Sequence, residues 1–408
     1  MPNVLFLHQN FPGQYKLLAE ELSLRDNFKV VALGQGTPFG FELGNVEYVG
    51  YSSRPDPNAD LFPPLTFFSE QVRRGDAVRW QLMELKERGF TPDLCFVHPG
   101  WGEALFLRDV FPESKLVSYL EYGYRNSGSE LEFDPEFPAP PSDLNYVSLR
   151  NLPSWQAAAV SDALVSPTRW QAGTFPPALA GRITVIHEGI DTSVAAPAAP
   201  SPVVLPSGAT LREGQPLITY VARSLEPYRG FHTFMRALPR LLEILPDAHV
   251  AIVGKEPPSY GRNPPEGGTW KQRMLKEVGD DIDTERVHFF GTLPYPELIN
   301  LFRRSSAHVY LTYPFVLSWS LIDAMACGCA IVASATEPVE EVIRDGENGL
   351  LADFFDHQAL AEKLALVVDD QNLRQRLSKN ARQTAVSQFD FKTVALPAYE
   401  KLIADLLA

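Results

Sequence analysis

The sequence predicts an α/β protein of two doubly wound domains facing across a cleft. Three observations predict it. Runs of buried-strand character alternate with amphipathic helical runs, the rhythm of a parallel sheet covered on both faces. That rhythm stops at a stretch rich in Ala, Pro and Ser, residues 192–216, and then starts again. The chain has 408 residues, too many for one ordinary core and enough for two large ones.

In the first half, "NVLFLHQNF" reads as a strand, "GQYKLLAEELSLR" as a helix and "FKVVALG" as the next strand. "DLCFVHPG", "KLVSYLEY", "DALVSPT" and "ITVIHEG" follow as strands. Residues 51–80, rich in Pro and aromatics, read as an excursion toward a ligand. Residues 126–145, "NSGSELEFDPEFPAPPSDLN", read as a long acidic loop. In the second half the order is strand "LITYVAR", helix "GFHTFMRALPRLLEIL" and strand "AHVAIVG", then a Pro- and Gly-rich loop at 256–268. Helix "TWKQRMLKEVG", strand "VHFFGTL", helix "YPELINLFRRS" and strand "AHVYLT" come next, and "AIVAS" and "GLLAD" are the last strands. The predicted domains are therefore 1–195 and 217–385, joined by a linker at 196–216. A terminal helix at 386–408 is expected to pack back on the first domain.

Composition narrows the function classes. A formal charge of -14 argues against an electrostatic grip on nucleic acid. Cys95, Cys327 and Cys329 form no C-x-x-C pair, so neither a disulfide framework nor a zinc site is expected, and a reducing cytoplasm is the predicted location. The N-terminus opens directly into a strand-like run, which predicts no signal peptide. No apolar stretch reaches the length of a membrane span, so membrane contact is expected to be peripheral at most. Arg73-Arg74 and Arg303-Arg304 read as solvated basic faces.

Ligands of doubly wound sheets sit at the C-terminal strand ends, where helix N-termini offer N–H groups to anions. The first such turn, "HQNFPGQYK", has only Gly13 and lacks G-x-G-x-x-G, which disfavours a standard dinucleotide-binding dehydrogenase. In "YVARSLEPYRGFHTF", Arg223 ends a strand and Arg229 opens a helix, the placement a diphosphate requires. The competing reading is two arginines paired with Glu226 or other acids. His98, before Pro99-Gly100-Trp101-Gly102, and Glu121 and Glu188 also stand at strand ends. "YPFVLSWSLIDAMACG", residues 313–328, places Ser-Trp-Ser and one carboxylate, Asp323, in an otherwise apolar run. A helix mouth with Ser318 as N-cap accounts for the polarity.

These segments, with "ITVIHEGIDTSVAAP", "VHFFGTLPYPELINLFRRSSAHVYLT", "IDAMACGCAIVAS" and "EEVIRDGENGLLAD", occur in the order found in glycosyltransferase family 4, and the chain resembles that family over residues 183–365. The resemblance implies the GT-B fold of two Rossmann-like domains. It also implies retaining transfer from a nucleotide-diphospho-sugar to a hydroxyl acceptor by front-face displacement, without a metal or other cofactor. The donor would meet Gly13, Arg223, Arg229, Gly291, Leu293, Leu317, Ser318, Trp319 and Asp323. The acceptor, a sugar, glycan, lipid-linked or small molecule, would meet His98, Trp101 and Glu121. His98, Arg223 and Arg229 would be the catalytic groups. Arg229 stands where the family usually has lysine. Phe315 stands where the first acid of the family's Glu-x7-Glu motif is expected, and Asp323 stands at the second. That departure leaves two other readings: a degenerate GT-B protein that binds a nucleotide sugar or a partner without catalysis, and a nucleotide-sugar epimerase. Neither nucleobase, sugar nor acceptor is legible in the sequence.

Overall fold

The computed structural model describes residues 1–36, 41–53, 62–212 and 214–408. The chain divides into two compact units. The first comprises Met1–Glu132, Pro138–Gly189 and Phe391–Ala408, and the second Phe133–Phe137 and Ile190–Asp390.

Seven parallel strands form the sheet of the first unit: β1 (Asn3–Leu7), β2 (Lys29–Gln35), β3 (Glu47–Tyr51), β4 (Leu94–Val97), β5 (Lys115–Tyr119), β6 (Ala163–Ser166) and β7 (Ile183–Val185). Their order is β3-β2-β1-β4-β5-β6-β7. Alternation along β1 divides its side chains between two cores. Val4 and Phe6 pack with Leu18, Ala19 and Leu22 of the helix Lys16–Ser23, and with Phe391, Leu396, Tyr399 and Ile403 near the C-terminus. Leu5 and Leu7 pack with Val78, Leu82 and Leu85 of the helix Pro63–Glu87. Each such buried side chain contributes about 1.5–3 kcal/mol of hydrophobic stabilisation.

The second sheet is also parallel, with β8 (Leu217–Ser224), β9 (His249–Lys255), β10 (Val287–Gly291), β11 (Ala307–Tyr310), β12 (Ile331–Ser334) and β13 (Leu350–Ala352) in the order β10-β9-β8-β11-β12-β13. One face packs Ile218 and Tyr220 on Phe234, Leu238 and Leu241 of the helix Phe231–Ile244, and Tyr220 stacks on Phe234 at 5.0 Å. The other face packs Leu217 and Val253 on Leu321, Ile322 and Met325 of the helix Trp319–Ala326.

In each sheet the strand order reverses direction at one point. The reversals fall between β1 and β4 and between β8 and β11. At such a switch point the loops after two adjacent strands part and leave room for a ligand.

The structure departs from the sequence reading in four places. β3 was not predicted. Of the supposed excursion at 51–80, residues 54–61 lie outside the described residues, and Pro63–Glu87 is one long helix because Val78, Leu82 and Leu85 repeat at helical spacing. Within the supposed acidic loop, Phe133–Phe137 belongs to the second unit. There Phe133 packs on Tyr313 and Phe354, and Asp134 accepts a 2.6 Å hydrogen bond from the Tyr313 hydroxyl and lies 3.1 Å from His232. Finally, Arg303 and Arg304 are half-buried and engaged with backbone rather than forming a free solvated face. Their guanidiniums donate to the carbonyls of Val194, Ala196, Arg212 and Gln215, so the Ala/Pro/Ser segment is tied to the second unit. Among the described residues no helix is long and apolar enough to cross a membrane.

Candidate active site

The switch point of the first unit carries an imidazole–carboxylate cluster. His8 follows β1 and its N–H donates to the carbonyl of Leu33, while His98 follows β4 and donates to that of Leu7. Parallel register therefore brings the two rings together, with centroids 5.1 Å apart. Glu121 follows β5, the next strand in the sheet. One of its carboxylate oxygens lies 3.3 Å from His98 Nε2, and the other accepts from Gln14 Nε2 at 2.6 Å. Gln14 Oε1 lies 2.7 Å from His8 Nε2, which completes a chain from His8 through Gln14 and Glu121 to His98.

Electrostatics follow from that enclosure. Burial, helped by the neighbouring His98, lowers the pKa of His8 to about 3, so its ring is neutral near pH 7. Burial pushes the Glu121 carboxyl up, but the hydrogen bond and charge of His98, with His8 and Gln14, outweigh it and hold the acid below its usual range. The Nδ1 of His98 has no hydrogen-bond partner in the protein. Trp101 stacks beside the His98 ring at 6.4 Å, and its carbonyl accepts from Arg74 at 2.6 Å. Gly13 is required by contact. Its φ is +47°, and a Cβ there would lie 2.4 Å from His8 Cε1. Glu188 is occupied structurally, accepting from the buried Tyr119 hydroxyl at 2.9 Å.

The second unit builds a cationic and aromatic site at its own switch point. Arg223 is exposed near the end of β8, its guanidinium carbon 5.9 Å from the Tyr260 ring. Arg229 differs: it is 4% exposed. Its Nη1 donates to Thr312 Oγ1 and to the carbonyl of Val316, each at 3.0 Å, and its guanidinium carbon lies 5.2 Å from Tyr260 and 5.7 Å from Phe315. Arg229 therefore anchors the turn after β11, a role the sequence did not suggest. Glu226 pairs with neither arginine. Fully buried, it accepts the backbone N–H groups of Ser259, Tyr260 and Gly261 at 2.7–3.3 Å and so fixes the loop that carries Tyr260.

That turn delivers the chain into the helix Trp319–Ala326. Ser318 caps it, its Oγ accepting from the N–H of Ser320 at 3.4 Å, and its own N–H donates to Tyr310 Oη at 2.8 Å. Leu317 packs partly against the core below, and Trp319 is 42% exposed at the helix mouth. Asp323 accepts from the Tyr295 hydroxyl at 3.0 Å, which ties the helix to the segment after β10. Gly291, with φ +65°, ends β10, and Leu293 packs on the core. Phe315 is buried, edge-on to Tyr260 at 4.9 Å and to Tyr228 at 5.6 Å.

The predicted residues thus gather in two groups, one per unit: Gly13, His98, Trp101 and Glu121 in the first, and Arg223, Arg229, Gly291, Leu293, Leu317, Ser318, Trp319 and Asp323 in the second. Sequence reasoning missed His8, Gln14, Tyr260 and Tyr295, and it named Glu226 as an arginine partner rather than as the holder of the Tyr260 loop. Only His8 carried a local signal, an imidazole at a strand end facing the Gly13 turn. Among the described residues no cluster of three or more His, Cys, Asp or Glu side chains has metal-site geometry.

Two doubly wound units, each with a polar site at its switch point, define the GT-B class. Residues 26–195 match the family model described as glycosyl transferase family 4 group, and residues 207–384 match that of glycosyl transferases group 1. The chain belongs to the family 4 glycosyltransferases. It is 30% identical over 230 residues to a glycogen synthase of Mycobacterium tuberculosis, a match covering 56% of this chain and 50% of that one. It is 27% identical to a D-inositol 3-phosphate glycosyltransferase of Kribbella flavida, over 62% of this chain and 57% of the relative. The chain thus spans about half the length of the curated relatives it matches. Among solved structures, a sucrose-phosphate synthase of Thermosynechococcus elongatus superposes with a TM-score of 0.73 at 17% identity, over 99% of this chain and 100% of that one. HepE of Anabaena in complex with UDP-glucose gives 0.68 at 17% identity, with the same coverage. At that identity the likeness is one of fold.

Proposed function

We propose that the protein is a retaining glycosyltransferase that moves a sugar from a nucleotide-diphospho-sugar to a hydroxyl acceptor by a metal-independent, front-face mechanism. The observation that carries this reading is the grouping of Arg223, buried Arg229 and the Ser318-capped mouth of the helix Trp319–Ala326 at one switch point. Positive charge and the positive end of the helix dipole there suit a leaving diphosphate. In the reaction the anomeric C–O bond to the phosphate breaks and the acceptor oxygen bonds to the same face of the sugar. The acceptor proton passes to an oxygen of the departing phosphate. His98 would hold a sugar hydroxyl, with Glu121 orienting its ring from Nε2. Asp323, steadied by Tyr295, would accept from a ribose hydroxyl. We place the reaction in the cytoplasm, a reading in keeping with three free, buried cysteines.

The buried Phe315 favours a second reading, a GT-B protein that binds a nucleotide sugar without turnover. One experiment separates the two. Nucleotide sugars and acceptors are incubated in pairs, with and without a chelator, and the product anomer is read by proton NMR. Retained configuration with unchanged rate under chelation supports the proposal. Inverted product or loss of rate with the chelator overturns its mechanism, and binding without turnover across the panel leaves the second reading.

A further inference from the structure

The segment Phe133–Phe137, "FDPEF", comes from the first half of the chain yet belongs to the second unit. Its two aromatics and two acids give it four anchors there. Phe133 stacks on Phe355 at 5.1 Å, and Phe137 meets Trp270 edge-on at 4.8 Å. Glu136 takes Arg236 on both carboxylate oxygens, at 2.6 and 2.7 Å, in a half-exposed pair.

Asp134 differs from Glu136 because it is buried. Its Oδ1 accepts from the N–H of Glu136 at 2.9 Å, while its Oδ2 accepts from the Tyr313 hydroxyl at 2.6 Å and lies 3.1 Å from His232 Nε2. Burial pushes the carboxyl up, but the hydrogen bonds of His232 and Tyr313 outweigh it and hold the acid below its usual range. Asp134 is therefore an anion near neutral pH. Burial and that neighbouring charge push the Tyr313 hydroxyl the other way, so the phenol keeps its proton and donates. A hydroxyl on a buried carboxylate makes a charge-assisted bond, stronger than one between neutral groups.

Tyr313 carries this contact into the site. Residues 311–318, between β11 and the helix Trp319–Ala326, are neither strand nor helix, so side chains decide their path. Arg229 holds Thr312 and the Val316 carbonyl, and Tyr310 Oη accepts from the N–H of Ser318. Both of those holds come from within the second half of the chain. The third comes from Asp134, 179 residues before Tyr313 in the sequence. Tyr313 is itself buried, donates its N–H to the carbonyl of Tyr228 at 3.0 Å and packs its ring 5.0 Å from that of Tyr228, so a shift of its side chain moves its backbone.

We propose that Asp134 is a positioning residue of the donor site: through the Tyr313 hydroxyl it sets the path of residues 313–318, and with it the Ser318-capped helix mouth at which a nucleotide diphosphate binds. The role toward a nucleotide rests on the glycosyltransferase reading; the hold on the turn does not.

The test titrates UDP, GDP, ADP and TDP by calorimetry into the folded full chain, as wild type, Asp134→Asn, Tyr313→Phe and the double variant, and follows the Ser318 amide by NMR. Asp134→Asn keeps the volume but can turn only one acceptor oxygen toward three donors. Tyr313→Phe deletes one oxygen and keeps the ring, and it carries the test alone where Asp134→Asn does not fold. Each single variant is expected to displace the Ser318 amide and to weaken the nucleotide diphosphate that wild type binds by about fivefold or more. The double variant is expected to bind no more weakly than the weaker single, because both substitutions remove the same contact. Glu136→Gln loosens the segment without touching Tyr313 and is expected to leave affinity within about twofold. Unchanged affinity in both single variants, additive losses in the double, or an equal loss in Glu136→Gln overturns the proposal while leaving the donor reading intact. If folded wild type binds none of the four nucleotides, the donor reading fails and the donor role of Asp134 with it. The Ser318 amide then decides the hold on the turn: displacement in both single variants upholds it, and an unmoved signal refutes it.

Discussion

The two units solve the same structural problem with different chemistry. Both leave a polar site at the point where a parallel sheet reverses its strand order. In the first, the site is a chain of imidazole, amide and carboxylate groups, His8, Gln14, Glu121 and His98, joined by hydrogen bonds. In the second it is cationic and aromatic, with Arg229 sandwiched near Tyr260 and Phe315 and the capped helix mouth beside it. The difference in chemistry teaches what each site is suited to: the first to holding hydroxyls and protons, the second to holding negative charge.

The comparison breaks first at Arg229. Replacing it with Ala leaves Thr312 Oγ1 and the Val316 carbonyl without their buried donor and opens a void. Arg229→Ala is expected to destabilise the protein by about 3 kcal/mol, read by urea denaturation. A smaller loss than that of any surface arginine would show that Arg229 does not anchor the turn. In the first unit the corresponding lever is Gly13. Gly13→Ala forces a Cβ into the His8 ring at a positive φ and is expected to cost about 2 kcal/mol, with displacement of the His8 signals in an NMR spectrum.

A pH series sharpens the comparison. His8 in the first unit and His308 in the second both have pKa values lowered to about 3, by burial above all. The unfolded chain takes up a proton on each near pH 6.5, which the native state refuses. Stability is therefore full above about pH 6.5 and falls as pH drops from there toward about 3. His308→Asn is expected to remove one proton from that dependence, reducing the slope between pH 6 and 4 by about 1.4 kcal/mol per pH unit. An unchanged slope would mean that His308 is not buried neutral. The smallest effect is expected at Glu226. Glu226→Gln keeps the size but loses one acceptor, and should cost about 1 kcal/mol while speeding hydrogen exchange at Ser259 to Gly261. Unchanged exchange there would show that other contacts hold the loop.

The same contrast decides what could be read from the sequence. In the second unit the arginines, the capping Ser318 and Asp323 sit in short contiguous stretches next to a strand end or helix start, so type and spacing revealed them. In the first, residues 8, 14, 98 and 121 are far apart in the chain, and only the parallel register of β1, β4 and β5 brings them together. Strand ends placed His98 and Glu121 correctly, but nothing local linked them to Gln14. Neither fold reading nor composition revealed that Phe133 and Phe137 belong to the second unit, because an acidic, Pro-rich stretch reads as solvated. Asp134 is buried there only because Tyr313 and His232 meet its carboxylate. Arg229 was legible as a cation but not as an anchor, since its acceptors, Thr312 and the Val316 carbonyl, lie on the far side of β11 in sequence.

The most direct test of the central claim is a titration of wild type and Arg223→Ala with UDP, GDP, ADP and TDP, followed by calorimetry. Arg223 is exposed and holds no turn, so its removal leaves the fold intact and reports on the ligand alone. The account predicts that one nucleotide diphosphate binds wild type and binds the variant at least about tenfold more weakly, the loss expected for one charge-assisted contact. Equal binding by both proteins, or no binding of any nucleotide by folded wild type, would contradict it.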